Sequence, residues 1–316
     1  MYKWKVAVSV RFFAKTNPEP KKLLEDAGCL VLYKQKGDKI IDLLKDADGV
    51  IAGLEPYTGE TFDACPKLKI ISRYGVGYDA IDLDAARKAK VAVSITPGAN
   101  SEAVADLAMA LMLSAARRIP QLDREVKSGQ RGTIELGGEV WRKTLGIIGT
   151  GRTGKALVQR ASGFQMRILC SSPRPDAALS AQYGASYVDL DTLLRESDFV
   201  SLHVPLTPTT RNMINDSALA RMKKTAILIN TARGGIVDED ALNRALCEGT
   251  IAACGLDVVE NETTYDSPLC KNPNCIVLPH IGAATREASY NMSLASAQNL
   301  LEYLSTGKCS NLLWEL

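Results

Sequence analysis

Histidine is scarce in this chain, with two residues among 316. The eight cysteines are scattered, none in a CxxC spacing, and the closest pair is Cys270 and Cys275. Two imidazoles and dispersed thiols cannot complete a structural zinc site of the usual kind, so no metal is expected. The thiols read as reduced and mostly buried in a cytoplasmic protein, with Cys270–Cys275 kept open as a redox pair. Long apolar runs are also missing. The longest, residues 103–116, carries Asp106 and is too short to cross a bilayer. The opening residues have too short an apolar core for a secretory signal. Charge of one sign never accumulates: 38 basic and 36 acidic residues leave +2, without a basic run or an acidic tail. Nucleic acid and membrane surfaces are therefore not expected as partners. Repeats and low-complexity linkers are absent as well.

What is present is an ordinary soluble composition, 46% hydrophobic and 23% charged, long enough for two cored domains. One stretch stands out. Leu145, Ile147 and Ile148 form a short apolar run that reads as a buried strand. It ends in Gly149-x-Gly151-x-x-Gly154, and Lys155-Ala-Leu-Val can open a helix. Strand, glycine turn and helix in that order form the dinucleotide-binding fingerprint. The first glycine permits the turn, the second lets the backbone approach a pyrophosphate, and the third lets helix pack on strand. The helix start adds unpaired N–H groups and partial positive charge.

Strand-like runs recur between helical segments, at 5–10, 30–33, 50–54, 68–72 and 91–95, then at 145–148, 167–171, 186–188, 199–204, 226–230, 252–258 and 276–278. Alternation of this kind predicts parallel sheets covered by helices. The number of strands is too large for one such sheet and implies two domains. The expected fold is α/β, with two doubly wound Rossmann-like domains and a cleft between them. Residues 1–99 plus 287–316 make a flavodoxin-like substrate domain, and residues 100–286 an inserted dinucleotide domain. Pro97 and Gly98 punctuate the first boundary, and Asn100 or Ser101 can cap the helix that follows. That helix, 101–118, is apolar almost all round, so it is buried either in a core or in a subunit interface. The interface is favoured, which implies a homodimer. A last helix, about 287–304, returns the chain to the first domain.

An NAD site places a carboxylate at the end of the second strand, about twenty residues after the glycines. Here that strand runs into Ser171, Ser172, Pro173 and Arg174, and no carboxylate occurs before Asp176. Hydroxyls with a guanidinium suit a 2′-phosphate. NADP(H) is therefore expected over NAD(H), the opposing reading being that Arg174 is a solvated loop residue.

Polar residues gather at four further strand ends: Ser201 to Pro205, Asn230 to Gly235, Gly255 to Glu262, and Pro279 to Ala283. Together with residues 73–79 and 96–105, these ordered blocks resemble the D-isomer-specific 2-hydroxyacid dehydrogenases, over nearly the whole chain. The resemblance implies a catalytic set of Arg233, Glu262 and His280. His280 would be the general acid/base at the 2-carbon oxygen, since imidazole titrates near working pH. Glu262 would orient it and stabilise its protonated form. Arg233 would grip the substrate carboxylate and polarise the keto oxygen. Tyr74, Gly75, Val76 and Gly77 would turn backbone N–H groups to the same carboxylate, and Val76 would also approach the cofactor. Arg152 and Thr153 in the fingerprint, His203, Val204, Pro205, Thr231, Ala232, Asp257, Gly282 and Ala283 would line the cofactor, Asp257 holding the nicotinamide carboxamide. His203 competes with His280 for the base, and Glu260 with Glu262. The family's spacing selects Glu262, although Val259 and Thr263 replace its usual aromatic and proline. Arg142 stands where relatives often have glycine.

The substrate expected is a small 2-keto or 2-hydroxy acid of the glyoxylate or hydroxypyruvate type. The loop 52–58 holds Glu55 and no basic residue to receive a phosphate, and no regulatory domain is expected beyond Leu316. D-3-phosphoglycerate dehydrogenase is the alternative, with Arg11 and Lys15 as compensating cations. Phe12, Phe13, Leu54 and Tyr74 equally suit a larger apolar acid. A different class, an NAD(H)-binding regulator without turnover, would tolerate His280→Asn, whereas an enzyme would not.

Overall fold

The computed structural model describes residues 2–130 and 136–314. The last two residues of the expected return, 315 and 316, lie outside them. By its contacts the chain falls into two compact units, Met1–Asn100 with Ala284–Leu316, and Ser101–Ala283.

The first unit is built on β1 (Trp4–Val8), β2 (Cys29–Tyr33), β3 (Gly49–Ala52), β4 (Ile70–Arg73) and β5 (Ala92–Ser94), in the order β2-β1-β3-β4-β5. Every pairing is parallel. Helices pack over the sheet, so its inner strands bury both faces and read as continuous apolar runs rather than alternating ones. One apolar cluster gathers around Ala7, Val50 and Ile71, and a second around Val6, Ile51 and Ile70. The long helix Arg286–Thr306 packs against β3 and β4. Thr285 caps it and Gly307 ends it in the left-handed region.

The second unit carries β6 (Thr144–Ile148), β7 (Arg167–Ser171), β8 (Ser186–Tyr187), β9 (Phe199–Leu202), β10 (Ile227–Asn230), β11 (Ala253–Leu256) and β12 (Cys275–Val277), in the order β12-β11-β10-β9-β6-β7-β8. The order reverses between β6 and β9, the crevice where doubly wound sheets take ligands. All twelve expected strands are present, but several end early. The run 199–204 pairs only to Leu202 and the run 252–258 only to Leu256. The residues beyond leave the ladder and form the loops at the carboxyl ends.

The expected helix 101–118 is Ser101–Ala116. It packs on the helix Arg152–Gly163 and on β10 and β11 of its own unit. Leu111 and Met112 are fully enclosed there, and Leu107 and Leu113 pack against the same cluster. Much of its apolar surround is thus buried in the core of its own unit. The polar side is held by Arg160, which reaches Glu102 at 2.7 Å and Asp106 at 2.5 Å. Among the described residues, no helix is long and apolar enough to cross a membrane.

Candidate active site

Contacts explain two of the three glycines in the fingerprint loop. Gly149 has φ +97, and a Cβ there would lie 2.6 Å from the His203 carbonyl oxygen. A Cβ on Gly154 would lie 2.1 Å from the Gly149 oxygen. Both positions are closed by the protein itself. Gly151 differs: it precedes the helix Arg152–Gly163, no side chain caps that helix, and a Cβ on Gly151 would meet nothing within 4 Å. Open space over a helix N-terminus fits a phosphate group. Arg152 is exposed and Thr153 half-buried on the same turn.

Beyond β7, Ser171 and Ser172 are half-buried and Arg174 is exposed. Asp176, the next carboxylate, is already engaged. It caps the following helix through the Ala178 N–H at 2.9 Å and pairs with Lys155. The Lys155 ammonium holds its carboxyl below the usual range. Among the described residues, Arg174 makes no ion pair.

At the end of β9, His203 Nε2 lies 2.9 Å from Ser201 Oγ. Burial pushes the His203 pKa down to about 4, so the ring is neutral near pH 7 and poorly tuned as a base. Val204 is half-buried and Pro205 exposed beside it.

At the end of β10, Asn230 is buried and shapes the loop. Its Nδ2 donates to the Arg233 carbonyl at 2.8 Å, and its Oδ1 accepts from the Ala232 N–H at 3.0 Å. Sequence reading placed this residue in a polar block without giving it a role. Arg233 is half-buried and donates through Nη1 to the Ala232 oxygen at 2.7 Å. A Cβ on Gly234 would fall 2.1 Å from the Val259 carbonyl carbon, so this turn lies flat on the next loop. Thr231 is buried, and its hydroxyl has no hydrogen-bond partner in the protein. A buried orphan hydroxyl invites a polar ligand group.

Asp257 follows β11 and is buried. Its carboxylate accepts the N–H groups of Ile281 at 2.8 Å and Gly282 at 2.7 Å, while its own carbonyl accepts from the His280 N–H at 2.9 Å. It therefore anchors the His280 loop, a role the sequence did not disclose. Burial raises its pKa, partly offset by those two bonds. Gly282 is required by the same contact, since a Cβ would stand 2.9 Å from Asp257 Oδ2, and Ala283 follows it half-buried. His280 sits at φ +52, a left-handed conformation unusual for this residue type. Its Nδ1–H donates to Glu262 Oε2 at 2.7 Å, with both side chains about 30% exposed. The carboxylate fixes the tautomer and leaves Nε2 as the working nitrogen. Glu260 points instead to Arg211 at 3.2 Å. The turn between the two glutamates is built by Asn261, whose Oδ1 accepts from Thr263 and Thr264.

In the other unit the glycine-rich loop corrects one expectation. Four free amides were anticipated, but the Tyr74 N–H donates to the Ala52 carbonyl at 3.1 Å and the Gly75 N–H to Thr96 Oγ1 at 2.9 Å. The Tyr74 hydroxyl is also committed, to Ser289. Tyr74 and Gly75 thus shape the loop, and only Val76 and Gly77 keep amides for a ligand. Arg73 is buried and holds the loop from beneath, donating to the carbonyls of Ala52, Tyr74 and Gly77. Phe12, Leu54, Val76 and Tyr78, all exposed, follow β1, β3 and β4. Glu55 is turned inward to Ser9 Oγ at 2.9 Å and Lys34 Nζ at 3.2 Å, which neutralises its charge.

Residues 109–282 match the model described as D-isomer specific 2-hydroxyacid dehydrogenase, NAD binding domain. A glyoxylate reductase of Korarchaeum cryptofilum is 45% identical over 271 residues, covering 84% of this chain and 82% of that one. A glyoxylate/hydroxypyruvate reductase B of Yersinia enterocolitica is 43% identical over 282 residues, 86% of each. The crystal structure of a glyoxylate reductase from Paecilomyes thermophila superposes with a TM-score of 0.85 at 32% identity, over 99% of both chains.

Proposed function

The chain belongs to the D-isomer specific 2-hydroxyacid dehydrogenases, and from that premise we propose that it reduces glyoxylate or hydroxypyruvate with NADPH. The observation that carries the reading is the His280–Glu262 bond of 2.7 Å, made beyond β11 and β12 in the unit that also holds Arg233. When bound, the nicotinamide exchanges hydride with the 2-carbon. The protein's part is charge and proton handling. Arg233 holds the carboxylate of the acid and draws electron density toward the keto oxygen. Nε2 of His280 delivers a proton to that oxygen as negative charge builds on it. Glu262 accepts the Nδ1 hydrogen and keeps the ring turned outward. Gly149, Gly151, Gly154, Thr231 and the helix Arg152–Gly163 would hold the dinucleotide, a fit supported by the open face of Gly151 and the orphan Thr231 hydroxyl. Ser171, Ser172 and Arg174 would receive a 2′-phosphate, supported by the engagement of Asp176 with Lys155.

The absence of a basic residue in the loop 52–58 supports an unphosphorylated acid, as do the names of the relatives. The proposal also takes the enzyme to be cytoplasmic and homodimeric. Steady-state oxidation of NADPH and NADH with glyoxylate and hydroxypyruvate, and reduction of NADP⁺ and NAD⁺ with 3-phosphoglycerate, tests it. The expected result is a kcat/KM at least about tenfold higher with NADPH and either keto acid. His280→Asn should lower kcat by about 10²–10⁴-fold while cofactor still binds. Activity confined to NAD⁺ and 3-phosphoglycerate would overturn the substrate and cofactor. Unchanged turnover in His280→Asn would overturn the catalytic assignment.

A further inference from the structure

Away from the strand ends that carry His280, the same sheet brings two thiols together. Cys254 lies in β11 and Cys275 opens β12, and the two are direct partners in the parallel ladder. Their Sγ atoms are 2.9 Å apart. Adjacent strands run about 4.8 Å apart, within the Cα separations that disulfides span. A disulfide bond is about 2.05 Å long, so closing this gap requires a shift of under about 1 Å. Neither cysteine has a part in the proposed hydride chemistry.

The two thiols differ in access. Cys254 is fully buried. Cys275 is half-buried and, with Cys270, lines a cavity of about 970 Å³ in the same unit. Phe199, Ile227 and Ala253, at the starts of β9, β10 and β11, line that cavity too, and Leu278 and Pro279 line it beyond β12. Burial holds the Cys254 thiol well above its ordinary pKa, so it waits as a thiol until a partner sulfur is activated.

We propose that Cys275 and Cys254 form a reversible thiol–disulfide pair, oxidised by a small hydroperoxide that enters this cavity. The Cys275 thiolate attacks one peroxide oxygen, and the O–O bond breaks. Sulfur takes the OH as a sulfenic acid, and the departing oxide takes up a proton as water or alcohol. Cys254 then loses its proton and attacks the Cys275 sulfur. The S–S bond forms, and hydroxide leaves to combine with that proton as water. Two electrons pass from the two thiols to one peroxide. The bond would staple β11 to β12, the strands that run on to Asp257 and His280.

Peptide mapping of the full-length protein tests this directly. Trypsin leaves Cys247, Cys254 and Cys270 in residues 245–271 and Cys275 in residues 272–286. Reduced protein is treated with hydrogen peroxide, its remaining thiols are alkylated, and it is digested without reductant. The expected product joins these two peptides, with two thiols lost per chain and recovered by dithiothreitol. It should vanish in Cys254→Ser and persist in Cys270→Ser. Fragmentation of the wild-type product locates the bond without any variant, should Cys254→Ser fold poorly. A bond to Cys270, sulfinic acid at Cys275 with no cross-link, or no modification of Cys275 would each overturn the proposal.

Discussion

His203 and His280 are the same residue type, one beyond β9 and the other beyond β12, yet their surroundings give them opposite parts. His280 meets a carboxylate at 2.7 Å, whereas His203 meets a hydroxyl and is desolvated by burial. The second environment has a cost that a stability measurement can read. His203 has a folded pKa of about 4, against about 6.5 unfolded. Between those values the unfolded chain binds the extra proton, so stability rises with pH through that window. The contribution is fully present above about pH 6.5 and is lost progressively as the pH falls toward 4. Its ceiling is about 3 kcal/mol. His203→Gln should therefore flatten the difference in urea midpoint between pH 4.5 and pH 7. An undiminished difference would show that other groups carry it. Residue identities of this kind were legible in the sequence, because the polar blocks are compact. Their geometry was not. Nothing in Leu-Pro-His announces a left-handed His280, or that Asp257 holds its loop. Arg142 is a partial exception: the family resemblance suggested glycine at this position, and the backbone sits at φ +56, where glycine is free of strain.

At the scale of elements, periodicity and punctuation revealed every strand, because parallel strands buried on both faces are short apolar runs between breakers. What they could not reveal was where each run stops pairing, since that depends on neighbours brought in by the fold. Helix burial was ambiguous for the same reason: an all-apolar helix states that it is covered, not by what. The junction of β6 with the helix Arg152–Gly163 lets architecture be separated from binding by two single methyl groups. In Gly154→Ala the methyl would lie 2.1 Å from the Gly149 oxygen, so the turn must shift. Overpacking of this kind costs about 1–3 kcal/mol, and cofactor affinity should fall with it. In Gly151→Ala the methyl meets nothing within 4 Å, so the fold should be kept to within about 1 kcal/mol. That methyl would nonetheless stand where a pyrophosphate must approach. Denaturation midpoints and NADPH titrations of both variants check the contrast. Tight NADPH binding by Gly151→Ala would remove the phosphate from that face.

For the whole molecule, the decisive fact is that each unit has its own sheet and its own apolar clusters. Those around Val200 and Ile147 belong to Ser101–Ala283, and those around Ala7 and Val6 to Met1–Asn100 with Ala284–Leu316. The fingerprint, the Ser171–Arg174 segment, Thr231 and Asp257 all lie in the first of these. A ligand stabilises what it binds by mass action, about 2.7 kcal/mol at a hundredfold excess over Kd. NADPH alone should therefore protect the unit that holds those residues. Hydrogen exchange followed by mass spectrometry should show slowing at residues 148–154, 202–204 and 230–234, while β1 to β5 exchange as before. Equal slowing in β1, β3 and β4 would mean that cofactor binding orders both units at once. Slowing confined to the expected segments would instead leave the ordering of the Val76–Gly77 loop to the acid substrate. Adding oxalate to the NADPH complex should then extend protection to that loop.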